Sequence, residues 1–234
     1  MAPETRTVSL VASTVECDGI ATFSFTRPDG YRFAAGQYQN LTLETREGPQ
    51  TKSFSHCDAP GDEHSRVLTR LTGSAFKDAL LALRPGDAVQ TSGPFGRLTV
   101  PEGARKAAFL VGGVGLSPAA SIVRDAVLRH SGLECLVFNG NNDEACVPLR
   151  EDFAGYAAEP TVGVVDVIWK PSESWKGESG VITADVVRRH CDPNDGWHWF
   201  VSGPPAMVTP MRAVLQELGV SATAASFEEF GGYR

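Results

Sequence analysis

Two glycine-containing segments hold the residues best suited to gripping a charged ligand. Phe109-Leu110-Val111-Gly112-Gly113-Val114-Gly115-Leu116-Ser117-Pro118 runs from an apolar stretch through three glycines into a segment with helical spacing. Glycines admit positive φ and let a backbone approach a diphosphate closely. A helix starting there adds free N–H groups and the positive end of its dipole. Pro118 suits the first turn of that helix. Phe200-Val201-Ser202-Gly203-Pro204-Pro205-Ala206-Met207 repeats the arrangement, a strand entering a helix through glycine and proline. In a parallel sheet both turns fall on the carboxyl edge, where such folds bind ligands. The first turn is not the G-x-G-x-x-G fingerprint, because Leu116-Ser117-Pro118 follows Gly115. Either turn alone serves equally well as a plain strand–helix connection.

The elements that must position these turns change character along the chain. Residues 1 to about 100 read as short strands broken by turns, including Val8–Ala12, Ala21–Phe25, Gln37–Leu43, Arg66–Thr72 and Ala88–Thr91. One helix interrupts them, with Ser74 as N-cap and Phe76, Ala79, Leu80 and Leu83 on one face. This pattern predicts an antiparallel barrel or sandwich. From Ala107 the rhythm is continuous apolar runs alternating with helical segments. Ala107–Val111, Cys135–Phe138, Val162–Ile168 and Trp199–Val201 are the runs. Helices are predicted near Ser117–His130, Pro148–Tyr156, Thr183–His190 and Pro205–Leu218. That alternation predicts a doubly wound α/β sheet. The boundary falls at Pro101–Lys106, giving domains 1–101 and 102–234.

Bulk properties remove several function classes. A net charge of -7 with no basic run argues against nucleic-acid binding, which needs clustered Lys and Arg. Cys17, Cys57, Cys135, Cys146 and Cys191 are odd in number and widely spread, which predicts no disulfide framework. No close cysteine spacing suits an iron–sulfur cluster, and no metal site is expected. No apolar run is long enough for a membrane span, and the first residues lack a signal pattern. The expectation is a cytoplasmic protein without a membrane partner. His56, Cys57 and Asp58 form a polar group, but neighbours on a strand point to opposite faces, against a Cys–His nucleophile. Trp169, Trp175, Trp197 and Trp199 are assigned to packing.

Taken in order, the motifs resemble the ferredoxin–NADP reductase superfamily of flavin-dependent oxidoreductases. The resemblance covers nearly the whole chain. Ala35-Gly36-Gln37-Tyr38 resembles the family's P-G-Q-Y/F, and Lys52-Ser53-Phe54-Ser55 stands at its R-x-Y-S. Gly73-Ser74 resembles a flavin-phosphate contact, and Gly93-Pro94-Phe95-Gly96 the G-P-x-G turn. Gly112 to Pro118 matches G-G-x-G-x-x-P, and Gly203 to Met207 matches G-P-P-x-M. Glu229-Phe230 before Gly232-Tyr233 resembles the terminal acidic–aromatic segment.

The resemblance implies a flavin-binding barrel followed by a nicotinamide-binding α/β domain, with FAD, or the smaller FMN, between them. It implies that Ser55 offers its hydroxyl to flavin N5 and that Phe54 packs on the ring. His56 would be a flavin neighbour. Lys52, Gly73 and Ser74 would hold the flavin phosphate. Gly112, Gly113, Gly115 and Pro118 would hold the diphosphate of NADH or NADPH. Ser202, Gly203, Pro204 and Met207 would lead its nicotinamide to the flavin. Phe230, with Tyr233 in reserve, would cover the ring until nicotinamide displaces it, since ring stacking is worth only about 0.5–1.5 kcal/mol beyond burial.

Departures from the family qualify this. Lys52 replaces an arginine and lacks its planar fork. Ser202 replaces a cysteine. Asn139-Gly140-Asn141-Asn142 lacks the serine and arginine of many NADP users, which leans toward NADH, although Arg150 is in reach. The chemistry implied is hydride transfer from NAD(P)H to flavin, then electron release to an external carrier such as a ferredoxin or an oxygenase component. The alternatives are reduction of free flavin or quinone, and a nucleotide-binding module without turnover.

Overall fold

The computed structural model describes residues 4–231. The first sheet contains β1 (Thr5–Cys17), β2 (Ile20–Thr26), β3 (Tyr38–Thr45), β4 (Gly48–Ser55), β5 (His64–Arg70) and β6 (Ala88–Phe95). Their order is β4-β3-β6-β1-β2-β5, and every pair is antiparallel. The sheet curls until its edges meet. His56, just past β4, bridges Val67 of β5, and the Cys57 N–H donates to the Arg66 carbonyl at 2.9 Å. Curling turns Val8, Leu10, Phe23, Phe25, Leu41 and Val67 into one interior. The helix α1 (Ala75–Ala82) closes it with Phe76 and Leu80, and the Ser74 side chain accepts from the Lys77 N–H at its start.

The second sheet contains β7 (Lys106–Gly112), β8 (Glu134–Asn141), β9 (Val162–Ile168), β10 (Glu178–Ser179), β11 (Trp197–Gly203) and β12 (Ala225–Glu229). All are parallel, in the order β10-β9-β8-β7-β11-β12. β7 is buried from Ala107 onward because helices cover both faces. The helices are α2 (Leu116–Leu128), α3 (Arg150–Tyr156), α4 (Ala184–His190) and α5 (Pro205–Glu217). A 3-10 turn over Gly113–Gly115 leads into α2, so helical structure starts before the Ser117 expected from sequence.

The two sheets share a core. Ile20, Cys57, Leu68 and Leu98 of the first half pack in one apolar cluster with Phe109, Leu116, Ala119, Ile122 and Val123 of the second. Arg124 forks onto Asp62 at 2.6 and 2.7 Å, and the Ser121 hydroxyl donates to the Asp58 carbonyl at 2.7 Å.

Two expectations are corrected. Cys17 and Cys146 form a disulfide between the halves, with Cα atoms 5.1 Å apart. A separation of 129 residues in sequence hides this pairing from any local pattern. Trp169 does not pack inside: it is 55% exposed, beside Lys170. No helix among the described residues is long and apolar enough to cross a membrane.

Candidate active-site cleft

The two glycine turns lie side by side on the carboxyl edge of the second sheet, and the structure separates the jobs of their glycines. Gly112 is extended, and a Cβ there would overlap the Gly140 carbonyl oxygen of the neighbouring strand. A Cβ at Gly115 would overlap the Ser202 carbonyl oxygen. Both glycines are therefore required by close backbone packing inside the protein, not by a ligand. Gly113 differs. Its φ is +53°, and the nearest atom to a Cβ there would be Arg70 Nη2, at 3.6 Å. Here it is the positive φ, not a backbone clash, that calls for glycine. The Gly113 N–H donates to Asn141 Oδ1 at 3.3 Å. Pro118 is buried in the first turn of α2.

Ser202 ties the turns together. Its buried hydroxyl donates to the Gly115 carbonyl at 2.7 Å, so it holds the turn rather than facing the cleft. Gly203 has φ +153°, and Pro204 caps α5. Met207 Sδ lies 3.3 Å from the Cβ position of Gly112 and 3.1 Å from that of Gly203, filling the space between the turns.

Facing this edge is a cleft of about 470 Å³, lined from both halves. The barrel contributes Tyr38, Lys52, Phe54, Ser55 and Ser74, and the second half contributes Val114, Ser117, Glu228 and Phe230. The Ser55 hydroxyl donates to Glu228 Oε2 at 3.3 Å. Parallel pairing places Glu228 opposite Ser202. Burial pushes the Glu228 carboxyl up to about 6, against a smaller lowering by the Ser55 hydrogen bond. Phe230 is half-buried, anchored by its N–H to the Gly203 carbonyl at 2.9 Å. The cleft thus offers aromatic faces (Tyr38, Phe230), hydroxyls (Ser55, Ser74) and positive charge (Lys52). That donor set suits a ligand combining a flat ring with an anionic tail, as a flavin phosphate does.

Other expected residues fall elsewhere. Gly73 is exposed at φ +67° with open space around it, outside the cleft lining. Phe54 is buried against Phe76, with ring centroids 5.8 Å apart, so it serves core and cleft together. His56 is not a cleft residue: it is fully buried, stacked 3.8 Å from Phe33 and bonded to Asp58 at 3.0 Å and Tyr31 at 3.2 Å. Burial pushes the Cys57 thiol up to about 12, which excludes a reactive thiolate there. Arg150 is occupied by the Glu144 carbonyl at 2.5 Å. Tyr233 lies outside the described residues. Glu228 and Lys77 line the cleft and Arg70 stands beside Gly113, and no sequence motif marks these three. Glu228 sits next to the expected Glu229, and only strand pairing shows which of the two turns inward.

Comparison with known proteins agrees with this geometry. Residues 109–217 match the family model of the oxidoreductase NAD-binding domain. The chain is 30% identical over 161 residues to a Na(+)-translocating NADH-quinone reductase subunit, that of Actinobacillus pleuropneumoniae, covering 64% of this chain and 39% of that protein. Against the curated Yersinia relatives it spans about half of their length, 54%. The fold matches the flavohem-like FAD/NAD-binding domain of nitric oxide dioxygenase from Vibrio cholerae, with a TM-score of 0.87, 18% identity, and 97% and 99% of the two chains covered. It also matches a ferredoxin NADP+ reductase from Neisseria gonorrhoeae with bound FAD and NADP, with a TM-score of 0.83, 17% identity, and 96% and 98% coverage. The fold that this chain shares with these proteins is an antiparallel sheet domain followed by a parallel α/β sheet domain, and the match to the NAD-binding family model lies in the second of the two.

Proposed function

We propose that this chain passes hydride from NAD(P)H to a flavin, FAD or FMN, and hands the electrons to an external carrier such as a ferredoxin or an oxygenase component. In this reading residues 1–101 hold the flavin, residues 102–234 hold the nucleotide, and the protein works in the cytoplasm. The observation that carries it is the shared cleft: Lys52 and Ser55 from the barrel face Val114, Glu228 and Phe230, which flank the two glycine turns.

Bound flavin supplies the hydride-accepting ring; the protein supplies orientation and charge. The Gly113 turn at the start of α2, with Arg70 alongside, receives the nucleotide diphosphate. Phe230 occupies the approach to the ring and yields to nicotinamide. The Ser55 hydroxyl donates to Glu228 Oε2, and the raised proton affinity of that carboxyl lets it hold a proton near neutral pH beside the proposed ring site.

The test is anaerobic mixing of purified protein with NADH or NADPH while the visible flavin absorption is followed. Bleaching is expected with at least one nucleotide. No bleaching of bound or added flavin by either nucleotide overturns the reading. A second reading, reduction of a diffusing quinone or free flavin, draws on the NADH-quinone reductase name of the curated relatives and on the exposure of Lys52. It predicts a colourless protein that oxidises NADH only when flavin or quinone is added.

A further inference from the structure

Lys77 sits where a lysine is costly. It lies in the first turn of α1, is only 8% exposed, and lines the cleft together with Lys52 and Ser74. Its Nζ stands 4.3 Å from the centroid of Phe54 and 5.6 Å from that of Phe76, and it donates to Thr69 Oγ1. Among the described residues no carboxylate pairs with it; the charge acting on it is Lys52, also positive. A buried ammonium without a counter-ion is unfavourable, and burial accordingly lowers its proton affinity to about 8. A helix position that needs only a polar side chain does not need this one. A methionine or leucine side chain would fill the same space beside Phe54 and Phe76 without the penalty. What the lysine lacks is an anion, and the open side of its surroundings is the cleft.

We infer that Lys77 is the buried anion receptor of the cleft, taking the phosphate ester on the ribityl end of a flavin and so selecting phosphorylated flavins over riboflavin. The inference rests on the flavin reading above and adds to it the residue that sets ligand choice. Lys52, exposed on β4, supplies a screened charge of small value. Lys77 supplies the strong one, because a charge-assisted bond gains strength in a desolvated setting. The two lysines and the Ser74 hydroxyl together take over the task of the single arginine fork that Lys52 lacks.

The experiment is quenching of flavin fluorescence on titrating flavin-free full-length protein with riboflavin, FMN and FAD, in wild type, Lys77→Met, Lys77→Arg and Lys52→Met. Lys77→Met is expected to weaken FMN and FAD by about ten- to a hundredfold, the span of a charge-assisted bond. Riboflavin binding should stay within about twofold of wild type, and Lys77→Arg should restore part of the gap between FMN and riboflavin. Lys52→Met should cost less than Lys77→Met. The melting temperature of flavin-free Lys77→Met should equal or exceed that of wild type, as expected when an unpaired buried charge is removed. Equal loss for riboflavin and FMN, or a lower melting temperature, shows a packing role and overturns the inference. Undiminished FMN binding in Lys77→Met overturns it as well. Failure of wild type to bind any of the three flavins removes the flavin reading and this inference together. Wild-type binding without discrimination by Lys77→Met removes the inference alone.

Discussion

The two walls of the cleft solve the same problem with different materials. The second sheet flanks the cleft with a backbone turn: Gly113 at φ +53°, the start of α2, and the Ser202–Gly115 hydrogen bond lie behind Val114 and Ser117 of the lining. The barrel wall presents side-chain charge and hydroxyls on a strand and a short helix: Lys52, Ser55, Ser74 and Lys77. A backbone site needs particular glycines and tolerates little, because its neighbours are other backbones. A side-chain site leaves its glycines free and places its cost in a buried charge instead. Glycine alone is therefore a poor label for function: Gly115 is needed for room, Gly113 for its positive φ beside Arg70, and Gly73 for a positive φ where a Cβ would meet nothing.

The hardest break of this comparison is Gly115→Ala. The new Cβ would meet the Ser202 carbonyl, which belongs to a central strand and cannot yield. A loss of about 3 kcal/mol is expected in denaturant unfolding, with nucleotide affinity falling as the turn deforms. A stable variant with unchanged NADH affinity would show that the turn has slack.

Next is Glu228, the acidic contact between the walls. Its folded-state value of about 6 lies above the ordinary 4.5, so the folded protein holds the proton more tightly than the unfolded chain. Stability is then greatest below pH 4.5 for this group and declines as pH rises to 6, by about 2 kcal/mol in all. Glu228→Gln should remove that decline from urea midpoints measured between pH 4.5 and 7. An unchanged slope would place the titration elsewhere.

The smaller effects sharpen the contrast. Ser202→Ala removes a buried hydrogen bond to the Gly115 carbonyl and should cost about 1–2 kcal/mol. Gly113→Ala and Gly73→Ala each force a side chain into positive φ without a clash, Gly73→Ala in open space and Gly113→Ala in ordinary contact with Arg70, costing about 1 kcal/mol in thermal unfolding. Only Gly113→Ala should weaken NADH binding in a calorimetric titration. Equal effects of the two on NADH would erase the distinction between the walls.

The same contrast explains what the sequence reveals. The second half is legible because its signals are local: continuous apolar runs for doubly covered strands, and glycine where a strand turns into a helix. The barrel is legible where alternation is clean, as in β3, and obscure in β4, whose Gly48–Ser55 is mostly polar on both faces. β12 is equally faint, since Ala225–Glu229 is only half-buried on the sheet edge. Side-chain chemistry in the cleft is the least legible part. Lys77 follows a good N-cap and looks like an ordinary helix surface residue until the fold turns α1 onto Phe54. Arg70 ends a strand and acquires meaning only from Gly113 beside it. The Cys17–Cys146 bridge depends on the docking of two halves, which no local pattern records.

The apolar cluster joining Ile20, Cys57, Leu68 and Leu98 to Phe109, Leu116 and Ile122 has a thermodynamic consequence. Neither half can melt without exposing part of the other's interior, and the disulfide adds a second link between them that limits how far they separate. Heat should therefore be absorbed in a single endotherm, with calorimetric and van't Hoff enthalpies in agreement. In the proposed reading the line near residue 101 divides the labour of the chain without dividing its cooperativity.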